Sequence, residues 1–348
     1  MSRWKLRFRI IRELVLVLAL AVSIIFSSIT VIRADNAAKD ERERSRAEAV
    51  ERMRRGFENF EESIDISDLS IYPDELGRLF SDATKDTPYL FYVSNNLSYS
   101  YRTSGSVVSV NPKYTMDRTD AEAAIEFCKS EVAKMAELLS DKEGELERLV
   151  GAHDLICKRF TYDITLESNN ICSFLTARRG TCQGYTWTYM ALLRELGIEC
   201  HYVASDSIAH IWLVVKIDGG WYYSDVTWDD PPSAEEGGKY SRKHILFSDN
   251  KADADGYIDR YSAIAVKCDS EIYDGDDILN DIPFCSLLGD INHDGEISLS
   301  DLIYLRLYIR DKNVKMQNFC LACADADGNF YVDGNDTEFL RRALLNNG

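Results

Sequence analysis

The sequence predicts an α+β fold, a helix headed by a cysteine packed on an antiparallel sheet, followed by a small all-α module of two loop-helix units. Three observations carry this. A helix-patterned run from Cys182 to Leu196 precedes three strand-like runs. Two aspartate-rich loops, each followed by a helix, recur in one register near residue 348. And 45% hydrophobic with 28% charged residues can bury a core over 348 residues, which excludes a disordered chain.

Charge narrows the class further. The formal net charge is −18, from 58 acids against 40 Lys and Arg. No basic surface can be spared for a phosphate backbone, so the sequence predicts no nucleic-acid partner. The charge is uneven: residues 1–34 carry a net +5 and the rest −23. A basic run ending at Arg12 precedes an apolar stretch from Leu14 to Ile32 and then the small Ala34. That reads as a signal peptide over 1–34 and predicts a secreted, extracellular chain in a cell-surface complex, membrane-anchored if the signal is uncleaved. As a helix the stretch would reach ~28 Å, short for a bilayer span. Nine cysteines, first Cys128, leave at least one thiol outside any intrachain pairing. Cys320-Leu-Ala-Cys323 looks like half a zinc site without a second ligand pair at ligand spacing, so a local disulfide or two free thiols is expected.

From 35 to 145 the chain reads as a charged stalk and an accessory α+β region. Val50, Met53, Phe57 and Phe60 have helical spacing, and strands are expected at Phe91–Val93, Leu97–Tyr101 and Val107–Val110. Helices are expected from Thr119 to Leu139 and from Glu143 to Arg159. The core occupies 146–268, an acidic linker 269–286 and the loop-helix module 287–348. Lys251-Ala-Asp253-Ala-Asp255-Gly256 imitates a calcium loop but starts on Lys, and a turn is expected there.

In the module, Asp290, Asn292, Asp294, Glu296, Ser298 and Asp301 stand at loop positions 1, 3, 5, 7, 9 and 12, with Gly295 at 6. That spacing wraps oxygens around a hard cation, position 7 giving its carbonyl. The frame recurs as Asp325, Asp327, Asn329, Tyr331, Asp333 and Asp336, with Phe330 where a positive φ favours Gly. A distorted or weaker second loop is expected. The duplicated pattern resembles a dockerin, the module that plugs an enzyme into a cohesin on a scaffoldin. The resemblance implies two structural Ca²⁺ ions, a cohesin partner and recognition through Leu299, Ser300, Gly334 and Asn335.

Cys182 opens a helix whose positive dipole end favours a thiolate, with Gly197 as its stop. Strand-like runs follow at Glu199–Ala204, Ala209–Ile217 and Trp221–Val226, the last two joined by Asp218-Gly219, a hairpin signal. A two-residue turn pairs Asp225 with Trp212 and so sets His210 and Asp225 as diagonal neighbours on one face. A Cys nucleophile, a His base and an Asp orienter then form a triad.

The order and contexts resemble the transglutaminase-like superfamily, with its papain-like cysteine-hydrolase core. The carrying stretches are His153-Asp154, Tyr162-Asp163, Gly180-Thr-Cys182-Gln-Gly-Tyr185, His210-Ile-Trp212 and Trp221 through Asp225 to Pro231. The family usually has Ala where Ile211 stands. Residues 60–145 also look like the accessory segment found before this core in secreted bacterial members. The resemblance implies Cys182 as nucleophile, His210 as base and acid, Asp225 as orienter, and no cofactor for catalysis. His153 and Asp154 would be structural, and Trp228 and Asp229 would shape the cleft. The expected function is an exported cysteine acyl-transfer enzyme on protein or peptide amides, a peptidase or amidase. A crosslinking transglutaminase and a non-catalytic binding module are the alternatives. A glycoside hydrolase lacks a carboxylate pair.

Overall fold

The computed structural model describes residues 36–163, 165, 170–230, 240–262, 264–275, 279–282, 284–285 and 287–346. The signal segment lies outside them. Among the described residues no helix is long and apolar enough to cross a membrane. The chain forms two compact units, Met1–Ala83 with Asn95–Lys113, and Thr84–Ser94 with Tyr114–Gly348.

In the first unit, helix α1 spans 36–58. It buries Ala49, Met53 and Phe57, one apolar face at spacings of four. Strand β1 (Ile64–Asp65) follows, then a 3₁₀ turn at Pro73–Glu75 leading into α2 (Leu76–Lys85), whose Phe80 meets Phe57 edge-on at 5.6 Å. Strands β2 (Ser98–Tyr101) and β3 (Val107–Asn111) complete an antiparallel sheet of order β1-β3-β2. The expected strand at Phe91–Val93 is instead a turn with a single bridge from Val93 to Tyr114.

The second unit begins with α3 (Arg118–Glu137), whose N-cap Asp117 accepts the Asp120 N–H at 2.9 Å, and α4 (Glu145–Arg159). A short parallel pair joins β4 (Thr161–Tyr162) to β5 (Arg179–Gly180), with α5 (Ile171–Ala177) between. Helix α6 (Cys182–Glu195) then lies against a sheet of β6 (Cys200–Ser205), β7 (His210–Ile217), β8 (Gly220–Ser224) and, past α7 (Asp249–Asp255), β9 (Tyr261–Ser262). Its order is β8-β7-β6-β9, all antiparallel, so the mixed α+β class holds. Tyr185, Tyr189, Leu192 and Leu193 of α6 are buried with Val132 and Met135 of α3 and Leu149 and Leu155 of α4. Periodicity predicted these helices because one face of each was already apolar.

Helices α8 (Leu299–Arg310), α9 (Leu321–Ala324) and α10 (Gly334–Asn346) close the chain. They do not stand off on a free linker. Tyr308, Cys320, Leu321, Cys323 and Phe330 belong to the same apolar cluster as α6. Within 269–286, Leu279 and Cys285 are buried, and Asp274 accepts from the Ser248 N–H at 2.8 Å. The apolar residues scattered among those acids pull the segment down. The expected turn at 251–256 is the second half of α7. Ser248 caps its start, and Gly256 ends it at φ 89, where a β-carbon would be strained.

Candidate active site

Register brings the first two residues together. The β7–β8 hairpin pairs Ile217 with Gly220 and Leu213 with Ser224, so the next residue of each chain sets Trp212 opposite Asp225. His210 then reaches Asp225 diagonally, its Nε2 2.7 Å from Asp225 Oδ2. Helix α6 brings the third within electrostatic reach: half-buried Cys182 is its first residue, after N-cap Thr181, and it helps raise the basicity of His210. With Nε2 committed to Asp225, Nδ1 is the ring nitrogen free to meet the thiol. His210 and Asp225 thus meet directly, with Cys182 near enough to act on His210 electrostatically.

Asp225 is 1% exposed and fully engaged. Its Oδ1 accepts the N–H groups of Thr227 at 2.9 Å and Trp228 at 3.3 Å. Its Oδ2 accepts from His210 and from the Tyr257 hydroxyl at 2.8 Å. Its own N–H donates to the His244 carbonyl at 2.7 Å. A carboxylate so held cannot swing, so the imidazole it orients cannot either.

His210 is stacked between two indoles, Trp212 at 5.5 Å and 18° and Trp228 at 5.3 Å and 19°. Trp212 comes from the same face of β7, two residues along. Burial works against the charged ring. The Asp225 charge and hydrogen bond, helped by Cys182, override it and lift His210 from 6.5 to about 10. The site thus favours the imidazolium form of His210. Tyr162 lies close enough to Cys182 and Asp225 to feel both, and burial first, then those charges, push its phenol up.

Beneath the triad lies a second, sealed network. His153 Nδ1 is 2.9 Å from Asp154 and Nε2 3.1 Å from Asp229, all three with no exposure. Arg242 bonds Asp154, and His244 donates through its backbone N–H to Asp229 at 2.9 Å. Burial opposes the charge on His153, yet Cys157, Asp154 and Asp229 raise it well above 6.5. This network holds the segment after Asp225 to α4, which matches the structural role expected of His153 and Asp154. Asp229 belongs to it too and is buried there, while Trp228 remains 37% exposed.

Tyr257 is the functional contact sequence reasoning missed. It comes 32 residues after Asp225, and only the helix stop at Gly256 hinted that the chain turns inward there.

The acidic loops keep one conformation in both copies. Asp290 accepts the N–H groups of Asp294 and Gly295, each at 3.0 Å, and Asp301 those of Ile291 at 2.7 Å and Ser298 at 2.8 Å. In the second copy Asp325 accepts the Phe330 N–H at 3.2 Å, and Asp336 those of Asp327 at 3.1 Å and Asp333 at 2.8 Å. Phe330 adopts φ 69 where Gly295 has φ 93, so the expected distortion is absent from the backbone. The ring accounts for this: it is 2% exposed, with the Arg178 guanidinium 3.8 Å above it and Phe160 6.1 Å away. Carboxylate oxygens of Asp290, Asp294 and Asp301 lie within 4.8 Å of one another, as do those of Asp325, Asp327 and Asp336. Asn292, Asn329, Glu296, Tyr331, Ser298 and Asp333 are on the same loops, and Ser298 also caps α8. The second loop is paired with a cation from outside it: Arg159 of α4 donates to Asp325 Oδ2 at 2.9 Å.

Residues 132–226, a stretch that contains Cys182, His210 and Asp225, match the sequence-family model of the transglutaminase-like superfamily. No curated protein matches the chain. Among solved structures it is similar to one named as a cysteine protease from Cytophaga hutchinsonii, at 16% identity and TM-score 0.26, over 38% of this chain and 61% of that one. It is also similar to a structure named as a TGase, at 14% identity and TM-score 0.28, over 50% of this chain and 53% of that one. The chain thus spans less than two thirds of either, and likenesses at these scores carry no argument.

Proposed function

We propose that this chain is an exported cysteine acyl-transfer enzyme acting on protein or peptide amides, with water as the usual acceptor. The observation that supports it is the His210–Asp225 pair at 2.7 Å, with Cys182 heading α6 and helping to favour the imidazolium. In the proposed reaction the Cys182 sulfur, acting as a thiolate paired with the His210 imidazolium, attacks the amide carbonyl carbon and forms the C–S bond. The carbonyl oxygen takes the negative charge, and the Cys182 N–H at the start of α6 is one donor to it. His210 gives its proton to the leaving nitrogen as the C–N bond breaks. It then takes a proton from water, whose oxygen attacks the thioester; the C–S bond breaks, the acid leaves, and the thiolate and imidazolium are restored. An amine acceptor in place of water would make the same acyl-enzyme a crosslinker.

The C-terminal module is proposed as a dockerin that fixes the enzyme to a cohesin. Hard oxygen donors in two converging sets suit Ca²⁺, which Asp290, Asn292, Asp294, Glu296, Ser298 and Asp301, and their counterparts in the second loop, would hold. Bound there, calcium would cross-link each loop; it would take no part in acyl transfer, because the triad lies elsewhere.

The test is mass spectrometry of a protein mixture incubated with reduced, calcium-loaded chain and a labelled primary amine, beside Cys182→Ala. New termini or deamidated glutamines lost in the variant support the hydrolase. Label on glutamines selects the transferase. The absence of any Cys182-dependent product would leave a binding module.

A further inference from the structure

We propose that Cys285, His293, Cys320 and Cys323 form a closed zinc site that staples the start of the C-terminal module to the segment ahead of it. The inference does not depend on the proposed reaction. The three sulfur atoms converge, all within 4.8 Å of one another, and all three cysteines are buried. His293 supplies the fourth donor, its Nε2 3.3 Å from Cys323 Sγ. Tetrahedral zinc with sulfur at ~2.3 Å and nitrogen at ~2.0 Å sets its ligands ~3.5–3.8 Å apart, so zinc would require the Cys285 and Cys323 sulfurs to be reduced and to part from their present contact.

The sequence showed only Cys320-x₂-Cys323. The other half is assembled by tertiary structure. The Gly289 N–H donates to the Cys323 carbonyl and the Cys320 N–H to the Ile291 carbonyl, both at 2.9 Å, and these two bonds lay segment 285–293 along 320–323. Position 4 of the first acidic loop then carries His293 at φ 55, a left-handed conformation unusual for a residue with a β-carbon. The Cys323 N–H donates back to Cys320 Sγ at 3.3 Å, the kind of bond a metal-bound sulfur accepts.

Cys285 and Cys323 stand in disulfide contact, 38 residues apart in sequence. A disulfide uses two sulfurs and needs neither the third nor the imidazole. A Cys₃His site uses all four groups and belongs with zinc in ligand softness and geometry. The two closures exclude each other, since bridged sulfurs are not thiolates. On binding, three thiols lose their protons to solvent, neutral His293 coordinates through Nε2, and no electron moves.

The test uses the full chain carrying Cys182→Ala, which removes a competing thiol, kept under an oxygen-free phosphine reductant with excess Ca²⁺ to fill oxygen sites. One tightly held zinc per chain is expected. Cobalt in its place should give the intense visible bands of tetrahedral coordination with a thiolate charge-transfer band. His293→Ala, Cys320→Ser and Cys285→Ser should each weaken zinc by roughly 100-fold, one ligand's share of a structural site. Cys172→Ser and Cys268→Ser, whose sulfurs lie outside the cluster, should leave it unchanged. Circular dichroism of each variant separates lost binding from lost folding, and Cys285→Ser tests the site from outside both acidic loops. Absence of stoichiometric zinc from the reduced chain overturns the proposal. So does zinc that survives His293→Ala and Cys320→Ser.

Discussion

Replacing Asp225 with Asn keeps the shape of the side chain and removes its charge from a site 2.7 Å from His210. Two opposite unit charges with centres ~4 Å apart interact by about 4 kcal/mol at an effective dielectric of ~20, or about three pH units. Asn retains a hydrogen bond, so the expected fall is about two to three units, from about 10 to near 7 or 8. The sign follows from a folded value above the ordinary 6.5. The fold favours imidazolium, and this contribution to stability is full below 6.5 and lost as pH rises through about 10. In Asp225→Asn the loss should finish near neutrality. The assay is NMR of histidine-labelled protein, following the His210 ring from pH 5 to 11 in both chains. Acyl transfer at pH 7 should fall about 10³–10⁴-fold in the variant, because the orienting carboxylate also fixes the tautomer. A wild-type His210 that titrates near 6.5, or a variant that titrates with it, refutes the electrostatic reasoning.

Trp228→Leu opens one side of the indole sandwich around His210. Losing one cation–π contact of about 0.5–1 kcal/mol should lower its titration by under one unit, read in the same spectra. Phe330→Gly relieves a left-handed backbone by about 1–2 kcal/mol but loses a buried ring worth about 3–5, so urea unfolding should show a net loss of roughly 2 kcal/mol. Arg159→Ala leaves the fully buried Asp325 without its guanidinium. In chelator it should cost about 3–5 kcal/mol, and added Ca²⁺ should restore part of that; equal loss with and without Ca²⁺ would show that Arg159 and metal act independently.

Much of the site was legible because its cues are local. A cysteine at a helix start and a two-residue Asp-Gly turn between alternating strands set the register that carries Asp225 to His210. Period-two geometry needs no tertiary knowledge. The loop frame was equally plain, since its donors fall within twelve residues. What could not be read came from residues distant in sequence. Tyr257 reaches Asp225 from the end of a helix that no apolar periodicity announced. Arg159 and Phe330 lock the second loop to α4, and Phe330 in isolation signals only a misplaced glycine. The acidic stretch 269–286 looked like a linker because charge outweighs its few apolar residues, yet burial of Leu279 and Cys285 decides its place.

The most direct test of the central claim is to trap the acyl-enzyme. The chain is incubated with an activated peptide ester, quenched in acid and digested, and the adduct is located by mass spectrometry. A single hydroxylamine-labile acyl group on Cys182, absent in His210→Ala, is the predicted result. No adduct, or acylation spread over the other cysteines and unchanged by His210→Ala, would contradict the assignment of Cys182 as the nucleophile.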